Sequence, residues 1–378
     1  MLHIAKSFQK KGDHVIIVAS DADLSKKKRL LAQETIDGIK VFRFKRYIPY
    51  NPFFWIVAPF IDISRASQLI KKINQENELD LVLTRNHIIG LAADKLGIKK
   101  TYFLVPSIVK NLDKMHIKTI SNRNFKNQIL SVYVNTLINP INQFLQNKAL
   151  HTATKIILFS QNMKRQVEED APDLKQKIHV ISPGVDIQDH LSDSPNKHSN
   201  KFVFLILGRL IYAKRVDMAI QAMSLSTNEN NCELHIVGDG PVKPSLEKMV
   251  QELHLQQQVF FYPSTSDVAV HYRGANCFLM TSVYETFGQT IIEAMSFGLP
   301  IIAFKNDDGK HVRTSSEEIF NENENGFFCD FSYHALFQCM HKIIHLDEEE
   351  KNMMAVRNKT RVKEKYNWDR HVDQLISL

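Results

Sequence analysis

Two glutamates with seven residues between them, Glu285 and Glu293, frame the stretch of this sequence best suited to chemistry. Phe287-Gly288-Gln289 predicts a turn between them, and Gly298-Leu299-Pro300 predicts the end of a helix. A helix that begins near Gly288 would direct the free N–H groups of its first turn at a bound anion such as a phosphate. Carboxylates accept hydrogen bonds from pairs of hydroxyls. The combination predicts a diphosphate that joins two sugars, as in a nucleotide sugar.

The alternative is a surface helix that follows a buried strand and carries two solvated glutamates. On a helical wheel Ile291, Ile292 and Met295 share one face, and Glu293 falls with Gln289 roughly opposite. We therefore expect the Glu293 carboxylate to lie off the main packing face and to be free for a ligand.

Two cations flank a second predicted turn between a strand and a helix. The buried strand Phe202–Leu207 leads into Gly208, and Arg209 and Lys214 precede a helix predicted at 216–223. Arg, with its bidentate fork, and Lys, as a point charge, can converge on one diphosphate. Solvated surface cations are the alternative.

Strands and helices alternate along the chain, which predicts α/β domains with parallel sheets and with ligands at the carboxyl ends of the strands. Ser160 is a candidate N-cap for the helix predicted after it. The other predicted strands are His14–Ala19, Ile39–Phe44, Leu79–Thr84, Thr101–Val105, Ile156–Ser160, Glu233–Val237, Val259–Tyr262, Asn276–Thr281 and Ile301–Phe304.

Three motifs resemble those of one enzyme family. E-T-F-G-Q-T-I-I-E-A-M-S-F-G-L-P, at 285–300, resembles the signature of retaining nucleotide-sugar glycosyltransferases of the GT-B type, in particular glycosyltransferase family 4. G-R-L-x-x-x-K at 208–214 resembles the family's phosphate-binding pair, and H-I-V-G-D-G-P at 235–241 resembles a segment near the nucleotide. The resemblance implies two Rossmann-like domains facing across a cleft. It also implies hexosyl transfer from a UDP- or GDP-linked sugar to a hydroxyl, with retention and without an obligatory metal or cofactor.

The resemblance also implies a role for each matching residue. Arg209 and Lys214 would neutralise the departing diphosphate. Glu285 would hold hydroxyls of the transferred sugar, and Glu293 the ribose. The donor site implied as a whole consists of Gly208, Arg209, Lys214, Gly238, Tyr262, Glu285, Phe287, Gly288, Gln289 and Glu293.

The amino-terminal half departs from the family pattern. The usual first strand and Gly-Gly loop are missing, so the chain starts inside the first helix. The family's histidine beside the transferred sugar is replaced by Pro106-Ser107, which leaves His87, Ser107 and His116 as acceptor-side candidates. These departures favour an alternative function, a non-catalytic GT-B subunit that stabilises a partner transferase. A GT-B epimerase or phosphorylase would need further histidines or a cofactor lysine that the sequence does not show.

A chain of 378 residues exceeds what one core usually serves, which predicts two domains. We predict an acceptor-side domain at 1–186 and a linker at 187–200. A nucleotide-sugar domain is predicted at 201–365, followed by a terminal helix at 366–378 that crosses back to the first domain.

Charge differs sharply between the two halves. Residues 1–185 carry 29 Lys and Arg against 15 Asp and Glu, whereas residues 186–378 carry 19 against 26. This contrast predicts an anionic membrane or an anionic acceptor as partner of the first half. A nucleic acid is not expected, because no zinc-finger, RNA-binding or basic-zipper motif occurs.

The four cysteines form no C-x-x-C pair, which is typical of neither a zinc site nor a disulfide framework and fits a reducing compartment. No run of about 18 apolar residues occurs. We therefore expect a cytoplasmic protein, free or peripheral on the inner face of the membrane, that acts in cell-envelope glycan or glycolipid synthesis. The aromatic residues within 47–60, with Arg43, Lys45 and Arg46, form a candidate membrane patch; core packing of the aromatics is the alternative.

Overall fold

The computed structural model describes residues 1–378 except 24–27, 109–132, 187–200, 226–230 and 308–309. His116 and the predicted linker at 187–200 lie outside the described residues. Contacts divide the chain into two compact units. The first contains Met1–Phe159, Met163–Ile181 and His371–Leu378, and the second contains Ser160–Asn162 and Ser182–Arg370.

The first unit contains two main sheets. Strands β1, β5 and β4 form one, in the order β1-β5-β4, and β6 to β9 form a parallel sheet in sequence order. A two-stranded antiparallel pair, β2-β3, accompanies them. The elements of the first half of the chain are α1 (Leu2–Lys10), β1 (Ile16–Ser20), β2 (Ala22–Asp23), β3 (Lys28–Arg29), β4 (Gln33–Ile36), β5 (Ile39–Phe44), α2 (Ala58–Asn77), β6 (Val82–Thr84), α3 (His87–Asp94), β7 (Thr101–Leu104), α4 (Asn139–Thr152), β8 (Lys155–Leu158), α5 (Gln161–Asp170) and β9 (Ile178–Val180).

The second unit is built on one parallel sheet of six strands, in the order β12-β11-β10-β13-β14-β15. Its elements are β10 (Phe202–Leu207), α6 (Val216–Ser224), β11 (Cys232–Val237), α7 (Lys243–Glu252), β12 (Val259–Tyr262), α8 (Ala269–Arg273), β13 (Cys277–Met280), α9 (Gln289–Ser296), β14 (Ile301–Phe304), α10 (Ser316–Ile319), β15 (Gly326–Cys329), α11 (Tyr333–Ile344), α12 (Glu348–Lys365) and α13 (Trp368–Ile376).

The core of the second unit explains why its strands are so apolar. Helices pack on a parallel sheet from both sides, so a central strand is buried on both faces and needs no polar alternation. In β10 the side chains of Phe204, Leu205 and Ile206 are all buried, and every residue of β13 and β14 is buried. The motif residues follow the carboxyl ends of these buried strands, so a well-packed sheet supports them.

Strand β4 of the first unit was not among the strands predicted from the sequence. Gln33–Ile36 pairs antiparallel with Ile39–Phe44 through a two-residue turn at Asp37-Gly38. Both turn residues have positive φ, 51° and 81°. A D-G turn with this geometry is the favoured connection of a β-hairpin, so the signal was present in the sequence.

Candidate active site

The strand order of the second unit creates a crevice beside two strands. Chain progression reverses between β10 and β13, since β11 and β12 extend to one side and β14 and β15 to the other. Loops that leave such neighbouring strands diverge, and the gap between them is where open α/β sheets bind ligands. Lys214 follows β10 and Glu285 follows β13, so the sheet brings together two residues singled out from the sequence.

Lys214 and Glu285 form an ion pair through the lysine ammonium and the carboxylate Oε1. Only 21% of the lysine side chain and 18% of the glutamate side chain are exposed. The Thr281 hydroxyl donates to the Lys214 carbonyl at 2.7 Å, and the Val283 N–H donates to the Ala213 carbonyl at 2.8 Å. These bonds tie the backbone of the turn that carries Lys214 to the loop that leads to Glu285.

The loop that carries Glu285 is held on two sides. The Glu285 N–H donates to the Arg313 carbonyl at 3.2 Å, and the Arg313 N–H donates to the Val283 carbonyl at 2.8 Å. The Thr286 carbonyl accepts from the hydroxyls of Ser160 and Ser315, at 2.7 and 2.9 Å. Ser160, which the sequence predicted as an N-cap, thus anchors the motif loop, a role the sequence analysis did not foresee.

Helix α9 begins as predicted, with Gly288 as its N-cap at φ 109°. A β-carbon there would lie 3.0 Å from Ile291 Cδ1, and the positive φ would strain any other residue. Phe287 is buried and its ring meets Tyr366 edge-on at 5.9 Å. The Gln289 amide donates to the Gly184 carbonyl at 3.0 Å. The side chains of Phe287 and Gln289 thus serve the loop's structure, which leaves backbone N–H groups as what this turn offers an anion.

Glu293 is not as free as the helical wheel predicted. Its Oε2 accepts a hydrogen bond from the Tyr272 hydroxyl at 2.9 Å, and the Tyr272 ring is buried against Phe297 at 5.1 Å. Burial raises the pKa of Glu293, and the bond from Tyr272 partly offsets this rise. Burial, together with the nearby Glu293 charge, raises the pKa of Tyr272 well above its usual value. Tyr272, which no motif marked, therefore orients Glu293 and occupies one of its two oxygens.

Gly208, Gly238 and Tyr262 lie at the ends of three adjacent strands. The Gly208 N–H donates to the Val237 carbonyl and the Gly238 N–H to the Tyr262 carbonyl, both at 3.0 Å. A β-carbon on Gly238 would overlap the Gly208 carbonyl oxygen, and one on Gly208 would lie 3.7 Å from Lys214 Cε. Gly238 is required because the Gly208 backbone approaches it closely, whereas Gly208 is favoured by its positive φ of 151°. Burial raises the pKa of Tyr262.

Arg209 follows Gly208 directly and its side chain is exposed. Its carbonyl accepts from the Ile211 N–H at 2.9 Å, which tightens the turn that leads to Lys214. The guanidinium is therefore available at the surface of the same turn. Among the described residues, no cluster of three or more His, Cys, Asp or Glu side chains is placed to hold a metal ion.

His87 and Ser107, the acceptor-side candidates that the structure describes, lie in the first unit. His87 is the first residue of α3, and burial lowers its pKa. Among the described residues its buried Nε2 has no hydrogen-bond partner. Ser107 is partly buried, and its carbonyl accepts from the Gln146 amide at 2.9 Å. His87 also lines a cavity of the first unit, whereas Ser107 does not.

The candidate membrane patch is partly corrected by the structure. Arg43 pairs with Glu34, only 7% of its side chain is exposed, and it therefore cannot reach a lipid surface. Lys45 is exposed and Arg46 is 40% exposed. Phe53 and Phe54 are exposed rather than packed in a core. In the part of the chain that the structure describes, no helix is both long and apolar enough to cross a bilayer.

Comparison with solved structures shows the same architecture. Sucrose-phosphate synthase from Thermosynechococcus elongatus superposes with a TM-score of 0.75 at 18% identity, over 99% of this chain and 90% of that chain. Anabaena HepE, solved with UDP and glucose, gives a TM-score of 0.70 at 18% identity, over 100% of this chain and 94% of that chain. The fold is GT-B, the two-domain Rossmann-like architecture of nucleotide-sugar glycosyltransferases.

Sequence comparison then places the chain in a family. The model for Glycosyltransferase Family 4 matches residues 1–189, and that for Glycosyl transferases group 1 matches residues 188–361. The chain belongs to Glycosyltransferase Family 4.

Two curated relatives illustrate the range of similarity. An uncharacterised glycosyltransferase of Methanocaldococcus jannaschii is 27% identical over 262 residues, which is 67% of this chain and 61% of the relative. The poly(ribitol-phosphate) alpha-N-acetylglucosaminyltransferase of Staphylococcus aureus is 24% identical over 54% of this chain and 39% of its own length. The chain thus spans between 39% and 61% of the length of these relatives.

Proposed function

We propose that this protein transfers a hexosyl group from a UDP- or GDP-linked sugar to a hydroxyl acceptor, with retention of the anomeric configuration. The observation that carries the proposal is the Lys214–Glu285 ion pair at the crevice of the six-stranded sheet. When a nucleotide sugar binds, the Lys214 ammonium can pair with the diphosphate, and the Glu285 carboxylate can accept hydrogen bonds from sugar hydroxyls.

In this mechanism the acceptor oxygen forms a bond to the anomeric carbon while the bond from that carbon to the diphosphate oxygen breaks. The acceptor proton goes to the departing phosphate, which serves as the base on the same face. Arg209, Lys214 and the N–H groups at the start of α9 stabilise the negative charge that grows on the diphosphate. This electrostatic role needs no obligatory metal or other cofactor.

The two glutamates bind different parts of the donor. Glu285, paired with Lys214, holds hydroxyls of the transferred sugar. Glu293 holds the ribose through the oxygen that Tyr272 does not occupy. Tyr262, at the end of β12, lies beside the base. Anabaena HepE, solved with UDP and glucose, supports a nucleotide-sugar donor as the substrate class.

We also propose a role in cell-envelope glycan or glycolipid synthesis, on the inner face of the membrane. Relatives named lipopolysaccharide 1,6-galactosyltransferase and alpha-monoglucosyldiacylglycerol synthase support this assignment. The excess of cations in residues 1–185 fits an anionic surface.

A non-catalytic subunit is the second candidate, because Pro106-Ser107 stands where the family carries its histidine. Its partner would be another glycosyltransferase. This alternative and the catalytic proposal differ in one measurable respect, which is turnover of a donor by the purified chain.

The experiment is to measure release of free nucleoside diphosphate from a panel of UDP- and GDP-sugars, with and without cell-envelope lipid. Release from one donor, stimulated by lipid and unaffected by a metal chelator, is expected. Binding of nucleoside diphosphate without release from any donor would favour the non-catalytic subunit. A product with inverted anomeric configuration would refute retention.

A further inference from the structure

Two of the four cysteines lie side by side at one edge of the six-stranded sheet. Cys329 is the last residue of β15, and Cys339 belongs to α11, the helix that follows β15. The Cys339 thiol donates to the Phe328 carbonyl at 3.8 Å, and Phe328 directly precedes Cys329. The two thiols also hydrogen-bond to each other. The fold therefore forms a dithiol from cysteines that nine residues separate in sequence.

The four cysteines differ in how accessible they are. A buried free cysteine commonly serves as a small apolar side chain. Cys232 and Cys277 fit that role, because they are 2% and 0% exposed. Cys329 is also buried, whereas Cys339 is only partly buried, so a small reagent can reach its sulfur. The pair thus combines one accessible thiol with one enclosed thiol.

The surroundings of the accessible thiol favour its thiolate. The hydrogen bond from Cys329 lowers the pKa of Cys339, and burial opposes this effect. The Lys342 ammonium also lowers that pKa, while the Glu322 and Asp330 carboxylates raise it. The same hydrogen bond, together with burial, raises the pKa of Cys329. Since the thiolate is the nucleophilic form, Cys339 is the attacking sulfur and Cys329 reacts second.

The Lys342 ammonium is held at this edge of the sheet. Its Nζ lies 4.0 Å from the centre of the Phe327 ring, and it donates to Asn323 Oδ1 at 3.4 Å. Lys342 follows Cys339 by three positions on α11, so the two side chains are neighbours on the helix surface. A cation beside a partly exposed thiol is typical of reactive cysteines.

One aromatic ring connects the end of β15 to the turn that carries Lys214. Phe331 lies two residues beyond Cys329, and the Arg215 guanidinium carbon is 5.0 Å from the centre of its ring. The Phe331 ring also stacks on the His311 ring at 5.4 Å. Arg215 directly follows Lys214 and has a φ of 45°, a conformation that the surrounding contacts must maintain. A displacement at Cys329 would therefore be passed to this turn.

We propose that Cys339 and Cys329 close a reversible disulfide when a peroxide reaches them, and that this disulfide loosens the turn that carries Lys214. In the reducing compartment expected from the sequence the pair stays a dithiol. A disulfide bond is about 2.0 Å long, shorter than any hydrogen bond between sulfurs, so closing it draws the end of β15 towards α11. The inference goes beyond the proposed function and does not depend on it.

The reaction balances in two steps. The Cys339 thiolate attacks one oxygen of hydrogen peroxide, so that an S–O bond forms while the O–O bond breaks, and the departing hydroxide takes up a proton to become water. The Cys329 sulfur then attacks the sulfenic acid sulfur, so that the S–S bond forms while the S–O bond breaks. The oxygen leaves as water with the proton of the Cys329 thiol. One peroxide is reduced to two waters while two thiols are oxidised.

The test is to treat the reduced full chain with hydrogen peroxide and then to count its free thiols after denaturation. We expect four thiols before the treatment and two after it, and dithiothreitol should restore all four. Mass spectrometry of a proteolytic digest should find one disulfide, which joins the peptides that contain Cys329 and Cys339.

Hydrogen exchange measures the effect on the turn without any substrate. The Lys214 N–H donates to the Ile211 carbonyl at 3.0 Å, and the Arg215 N–H donates to the Tyr212 carbonyl at 3.1 Å. These amides should exchange about tenfold faster in the oxidised protein, because a loosened turn opens more often. The amides of α7, on the opposite side of the sheet order, should exchange at the same rate in both forms.

Three variants separate the roles of the cysteines. Cys339→Ala should abolish the loss of thiols, because the attacking sulfur is gone. Cys329→Ala should leave Cys339 as a sulfenic acid, which dimedone traps as a stable adduct. Cys232→Ala is the matched control, since Cys232 is 2% exposed on β11, and this variant should still lose two thiols. Circular dichroism before the treatment checks that each variant is folded.

Four thiols that survive the peroxide would overturn the proposal, and so would a disulfide that joins two chains or involves Cys232 or Cys277. Sulfinic or sulfonic acid at Cys339 without any disulfide would overturn it as well. A disulfide that forms as expected while the amides of Lys214 and Arg215 exchange at an unchanged rate would refute the coupling to the turn. Failure of the chain to release nucleotide from any donor would count against the proposed function alone.

Discussion

Lys214→Ala tests the donor site most directly. The substitution removes the ammonium that pairs with Glu285 and that we place against the departing diphosphate. Negative charge on the diphosphate grows as the glycosidic bond breaks, so the ammonium contributes more in the transition state than in the ground state. Loss of one preorganised donor of this kind raises the barrier by about 3 kcal/mol, or about 10²-fold in kcat.

The same substitution should lower the free energy of unfolding by less than it raises the reaction barrier. Both partners of the ion pair are about four-fifths enclosed, so the carboxylate left behind is neither fully solvated nor fully buried. Exposed pairs contribute up to about 1 kcal/mol, and breaking a buried pair costs about 3–5 kcal/mol. An intermediate loss of about 1–2 kcal/mol in the free energy of unfolding is expected. The bond from Thr281 reaches the Lys214 backbone and survives the change.

The assay is steady-state release of nucleoside diphosphate, with unfolding by urea measured on the same preparations. Lys201→Ala is the matched control, because its ammonium lies 3.2 Å from Glu233 at the amino end of β10, away from the crevice. The control should lose at most about 1 kcal/mol of stability and keep wild-type turnover. Turnover of Lys214→Ala within twofold of wild type, at confirmed folding, would refute the reasoning.

Further outcomes follow from the structure. Glu293→Gln should weaken nucleoside diphosphate binding about tenfold by calorimetry while Glu285→Gln mainly lowers turnover, and equal affinity losses would contradict this division. Because burial raises the pKa of Glu293, the folded protein disfavours the charged carboxylate, so Glu293→Gln should increase the free energy of unfolding at neutral pH. This gain should disappear at acid pH, where the carboxyl group is protonated in both the folded and the unfolded chain. Gly238→Ala should cost at least about 3 kcal/mol in urea unfolding, because its β-carbon would overlap the Gly208 carbonyl, whereas the control Gly274→Ala meets nothing closer than 3.4 Å. Because burial lowers the pKa of His87, the unfolded chain binds a proton at a higher pH than the folded chain does, and the free energy of unfolding falls as the pH drops through that range. His87→Gln should reduce this loss of stability. A dependence of stability on pH that is the same in the variant and the wild type would contradict the prediction.

The central strands of the second unit were predictable because they are buried on both faces. Phe202–Leu207 and Ile301–Phe304 have the limits expected from their apolar runs. The half-exposed strand Gln33–Ile36 was missed, since its residues alternate in exposure and only one is strongly apolar. Hydrophobic periodicity detects strands that are buried on at least one face. The sequence signal for this strand is the D-G turn that follows it.

Features of the site that depend on neighbouring residues in sequence were predictable, whereas contacts between separate helices and strands were not. The start of α9 at Gly288 followed from local turn chemistry and is confirmed. The bond from Tyr272 to Glu293 could not be foreseen, because it depends on how α8 packs beside α9. Arg43 was wrongly expected to face a membrane, since its pairing with Glu34 depends on the unforeseen hairpin. Contacts between helices and strands depend on how these elements pack in three dimensions, and a helical wheel describes one helix alone.

The pairing of Lys214 with Glu285 joins positions 71 residues apart in sequence. It requires β10 and β13 to be neighbours, although two other strands intervene along the chain. Contacts of such long sequence separation form late and slowly, because a large loop must close before they contribute stability. Local helices can form much earlier. After dilution from denaturant, the capacity to bind nucleotide should therefore return more slowly than the helical signal in circular dichroism.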